Sequence, residues 1–134
     1  MKISDFIKVK GKERMEEIIA VPFRDVINIA VVDDINRFVR FQLERHGASE
    51  ELIKEILPER LTDGLCIDIE DEEGINMLAM IIDYKADFSV LIHEVEHIVF
   101  LLLSRKNFKH SGKTDELYAY YQQWFFAEFL RKMS

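Results

Sequence analysis

Residues 93–97 read His93-Glu94-Val95-Glu96-His97. On an α-helix, positions four apart sit on one face, one turn above the other. His93 and His97 can therefore present two imidazole nitrogens to a single metal ion. Glu94, one residue round the helix, can reach a water on that ion. This is the HExxH pattern, in which two histidines hold zinc and the glutamate acts as general base. The next acidic residues are Asp115 and Glu116, with 18 residues between His97 and Glu116. That interval is long enough for a turn and a second helix to bring back a third, carboxylate ligand. A zinc hydrolase site is the leading reading.

The segment around the motif, Phe88 to Leu103, is apolar almost all round, which marks a buried central helix. Two histidines and a glutamate are costly on such a helix unless something satisfies them. A metal with its ligands does so. Core histidines hydrogen-bonded to neighbours are the alternative. In the zinc reading, His93, His97 and Glu116 are the ligands, and one position stays open for water. Glu94 takes the water proton and passes it to a leaving amine. Asp115 is equally able to bind zinc, and either acid could merely cap the last helix. Glu116 is preferred because Tyr120 lies four residues on, where its hydroxyl could support a ligand imidazole or the carboxylate itself. Tyr120 could also simply join the aromatic core face of that helix.

His93-Glu94-Val95-Glu96-His97, followed after 18 residues by Glu116, resembles the gluzincin arrangement of zinc metallopeptidases. The resemblance implies His93, His97 and Glu116 as ligands, Glu94 as the catalytic residue and a minimal zincin-like domain. Glu116-Leu117-Tyr118-Ala119-Tyr120 is similar to the E-x-x-A-Y segment of small HExxH proteins of phages and prokaryotes. The ligand motif covers some 24 residues, and the order of elements extends the likeness to about residues 64–132. Where gluzincins place an acid four residues after the glutamate ligand, this chain has Tyr120. No His or Arg is clearly placed to hold an oxyanion; His110 and Tyr84 are the candidates. The reaction implied is peptide-bond hydrolysis on a peptide or protein substrate. A zinc-stabilised protein-binding module, catalytically weak or inactive, is the competing reading.

At 134 residues, with 49% hydrophobic and 32% charged residues, the chain reads as one globular domain over 1–134. A single cysteine, Cys66, excludes an internal disulfide and a cysteine-rich zinc module. It fits a reducing, cytoplasmic setting. The longest apolar run, Ile98 to Leu103, cannot span a bilayer, and the N-terminus lacks a signal-peptide core. The expectation is a soluble protein with no membrane partner. A formal net charge of −7 argues against nucleic-acid binding.

The elements that must position the motif follow from periodicity. Residues 11–20 suggest a short amphipathic helix. Residues 26–32, rich in β-branched side chains, read as a strand. A helix over 36–46 is stopped by Gly47, and Ser49 starts another that runs to Pro58. Alternation over 65–69, an Asp-Glu-Glu-Gly turn at 71–74 and an apolar run over 75–82 predict a β-hairpin. Asp87 caps the HExxH helix, residues 105–114 form a loop, and 115–132 form a terminal helix. The strand over 75–82 is the candidate edge for an added substrate strand, although it is apolar enough to be a core strand. The order predicts an α+β, two-layer fold, with a small mixed sheet packed against the HExxH helix and the C-terminal helix.

Overall fold

A computed structural model describes residues 1–7 and 13–134. After a 3-10 turn at Ile3–Asp5 come strands β1 (Glu13–Ile19) and β2 (Val26–Val32) and helices α1 (Ile35–Arg45) and α2 (Glu50–Ile56). Strands β3 (Gly64–Glu72) and β4 (Ile75–Asp83) then lead into helices α3 (Phe88–Arg105) and α4 (Asp115–Met133). The α+β class and the mixed sheet packed on α3 and α4 are as the sequence predicts.

The strand order is β1-β2-β4-β3, with β2 and β4 parallel and both outer pairs antiparallel. The interior position of β2 and β4 explains their near-continuous apolar runs, because each must bury side chains on both faces. Along β4, Leu78, Met80 and Ile82 enter a core under α3 and α4, while Ala79 and Ile81 enter a second core under α1 and α2. Helices α1 and α2 therefore add a layer on the sheet's other face.

Two expectations are corrected. The helix expected over 11–20 is the strand β1 from Glu13 onward, and residues 11 and 12 lie outside the described residues. Its exposed and buried positions largely alternate, and it pairs with β2 in register from Glu13 opposite Val32 to Ile19 opposite Val26. Pairing with an apolar neighbour overrides the local helix preference of Glu, Arg and Met. The edge strand near the HExxH helix is β3, not the strand over 75–82; β4 is held between β2 and β3.

Local chemistry fixes the helix starts. Asp34 caps α1 by accepting from the Arg37 backbone N–H at 3.1 Å, and Ser49 caps α2 through the Leu52 N–H at 3.1 Å. Asp87 stands at the N-cap of α3, where its carboxylate accepts from the Ser89 hydroxyl. No helix among the described residues is long and apolar enough to cross a membrane.

Candidate metal and hydrolase site

Helix α3 is oriented by what it buries. Leu91, Val95, Ile98, Val99, Leu102 and Leu103 face the sheet and α4. Rotation of about 100° per residue then decides where the motif points. The helix is not buried all round as the sequence suggests: His93 and His97 lie on an exposed face with Ile92, Glu96 and Phe100, while Glu94, 8% exposed, turns towards β3.

The two imidazoles converge. His93 Nε2 and His97 Nε2 are 2.9 Å apart with the rings nearly perpendicular, so one nitrogen donates a hydrogen bond and the other accepts. Two nitrogens on a tetrahedral zinc, each about 2.0–2.1 Å from it, lie about 3.4 Å apart. Opening the pair by about half an ångström gives that spacing, so the two nitrogens stand near the separation of two zinc ligands.

Glu94 sits where β3 passes under α3. The Cys66 thiol donates to its carboxylate, with Sγ 3.1 Å from Oε2, and the Glu94 carbonyl oxygen lies 3.3 Å from the same sulfur. Burial pushes the thiol well above its usual pKa, and the neighbouring Glu94 carboxylate pushes the same way. Close approach here depends on Gly64. A Cβ at that position would lie 2.7 Å from Glu94 Cγ and 2.8 Å from a Val90 methyl. Glu94 and His93 share an open cleft with Ser89 and Val90 on one wall and residues 61–64, leading into the β3 edge, on the other.

The far end of α3 is anchored to the same strand. Arg105, 10% exposed at its side chain, bonds Asp68 Oδ1 through Nε at 2.7 Å. It also donates to the carbonyls of Ile69 and Met77 and to the Asn76 side chain. Gly64, Cys66 and Asp68 alternate along one face of β3. The first two meet Glu94 and the third meets Arg105, so one strand sets both the position and the tilt of α3.

The remaining sequence candidates lie apart from the histidine pair. Tyr118, Tyr121, Phe125, Phe129 and Met133 form the buried face of α4. Glu116 and Tyr120 are each two residues from Tyr118, about 200° round the helix, and both are exposed. Tyr120 rests its ring edge-on to Tyr121. Asp115 is paired with His110, 3.2 Å away. Neither His110 nor Tyr84 lines the cleft. Among the described residues, no group of three or more His, Cys, Asp or Glu side chains is placed to hold a metal ion. The structure joins His93 to His97 and places Glu94 in one cleft with His93, and does not bring Glu116 to them.

No family model, curated protein or solved structure matches the chain. Cys66 and Gly64 are the site residues that sequence reading missed. The alternation of β3 marks Cys66 as facing opposite to Ile67 and Ile69, but which face meets α3 is decided only by the sheet order.

Proposed function

We propose that this chain is a zinc-dependent metallopeptidase-type hydrolase, with His93 and His97 as metal ligands and Glu94 as general base. The observation that carries this reading is the convergence of the two Nε2 atoms at 2.9 Å beside a cleft that Glu94 also lines. A zinc ion supplies Lewis acidity towards water and a substrate carbonyl. Glu94 would take a proton from water in the cleft and return it to the leaving amine. Its present bond from Cys66 keeps the carboxylate beside the cleft wall, one residue from His93. A peptide substrate would add along the outer edge of β3, which pairs with no further strand among the described residues and where main-chain hydrogen bonds provide affinity without demanding a sequence. Glu116 completes the ligand set only if the first turn of α4 moves towards the histidines.

A second reading is a zinc-stabilised protein-binding module. The placement of Glu116 away from the histidine pair favours it, because a site with two protein ligands binds the metal without a complete catalytic set. Glu94→Gln separates the two. On the enzyme reading it retains zinc and loses cleavage of a diverse peptide library. Equal cleavage by both proteins, or cleavage by neither when zinc-loaded, rejects the peptidase.

A further inference from the structure

The face of the sheet opposite α3 contains a cavity of about 160 Å³ between α1 and strands β2 and β4. Its floor is low because Ala30 on β2 and Ala79 on the adjacent β4 place only methyl groups there. Phe38, Val39 and Leu43 of α1 form the roof. Protein interiors hold few voids larger than a water molecule, and an empty one costs stability in proportion to its volume. The space opens outward past Gln42 and His46, while Ala30 and Ala79 below and Phe38, Val39 and Leu43 above give it a hydrocarbon floor and roof. Cavities of about 150 Å³ lined by aliphatic and aromatic side chains hold benzene.

The polar lining residues are Asn28, Gln42, His46 and Asn76, the last of which accepts from Arg105. Gln42 Nε2 lies 3.9 Å from Met15 Sδ across the mouth, and Asn28 is half-buried beside Ala79 in the β2–β4 register. His46 Nδ1 donates to the Gln42 carbonyl at 2.8 Å, since a carbonyl can only accept. In the neutral ring Nε2 is then an acceptor. Among the described residues, no ionisable side chain other than this histidine lines the cavity. A charged ligand would lose its hydration without a partner.

We propose that the cavity is a binding site for a small neutral aromatic molecule, of phenol to indole size, carrying one hydrogen-bond donor. The ring fills the space over Ala30 and Ala79, and the donor meets His46 Nε2 or the Asn28 amide oxygen. The site lies across the sheet from the histidine pair and is independent of the zinc reading.

The test is a nuclear magnetic resonance titration of the whole chain with phenol, indole, benzene and benzoate. Phenol and indole should give saturable shifts at Ala30, Leu43 and Ala79, with intermolecular NOEs to the two alanine methyls; benzoate should give neither. His46→Ala should weaken phenol roughly three- to tenfold, the worth of one hydrogen bond, and leave benzene unchanged. Ala79→Leu should fill the space and weaken every aromatic probe by about tenfold or more. If that variant does not fold, the methyl NOEs in the native chain decide. Absence of those NOEs, benzoate binding equal to phenol, or undiminished phenol binding by a folded Ala79→Leu would overturn the proposal.

Discussion

The two faces of the sheet are packed to different ends. Under α3 and α4 the core is aromatic, with Phe125 and Phe129 fully buried and Tyr118 and Tyr121 donating to the carbonyls of Phe108 and Val21. Under α1 and α2 the strands contribute Ala30 and Ala79, and a cavity remains. The aromatic face is also the one that orients the HExxH helix. A helix locked by large side chains and by Arg105 has one rotational setting, and that setting sends both histidines outward and Glu94 inward. Chemistry that needs groups held to within an ångström belongs on a face anchored by large side chains and Arg105, while the face with the cavity can leave room for a guest.

Removing large side chains from each face sharpens this contrast most. Phe125→Ala should lose about 3–5 kcal/mol, because its neighbours cannot collapse into the gap. Leu43→Ala should lose nearer to about 2 kcal/mol, since α1 can settle into space that already exists. Urea denaturation measures both; equal losses would mean that the two cores are equally tight.

Arg105→Ala should cost about 3 kcal/mol by leaving Asp68 and two strand carbonyls without their partner. It should also loosen the hold of α3 on β3, seen as faster amide exchange in the last turns of α3. A loss under 1 kcal/mol, as for a surface ion pair, would show that the helix is oriented by its apolar face alone.

A smaller effect concerns Cys66. Its native thiol titrates above the usual range, so between the unfolded and folded pKa values the native state binds the extra proton. Stability from this group is complete below about pH 8.5, where the unfolded thiol is also protonated, and declines above it by at most about 1.4 kcal/mol per pH unit. Cys66→Ala should flatten that part of the stability profile relative to the native chain. Superimposable profiles above pH 8.5 would mean that the thiol is not held by burial and Glu94. The smallest effect, about 1 kcal/mol, is expected for Ser49→Ala, which removes the cap of α2 on the face with the cavity; an unchanged urea midpoint would contradict it.

Much of this architecture was legible in the sequence where local and tertiary preferences agree. Val26–Val32, the hairpin around Gly74, the caps at Ser49 and Asp87 and the two long helices all combine a clear period with a matching start or stop signal. Residues 13–19 misled because an edge strand with one solvent-facing side carries the Glu, Arg and Met of a helix surface. The histidine pair was legible because i and i+4 spacing is a property of the helix alone. Glu116 was not, because its direction depends on which side of α4 meets the core, and Tyr118, Tyr121 and Phe125 place it on the outer side. Cys66 beside Glu94 required the strand order, which no local pattern encodes.

Metal content measures most directly whether His93 and His97 hold zinc. Protein prepared without chelator and dialysed against excess zinc should retain about one zinc per chain by elemental analysis. His93→Ala and His97→Ala should each abolish retention, and Glu94→Gln should keep it. Less than a tenth of an equivalent in the native chain, or undiminished zinc in the histidine variants, would contradict zinc binding by the pair.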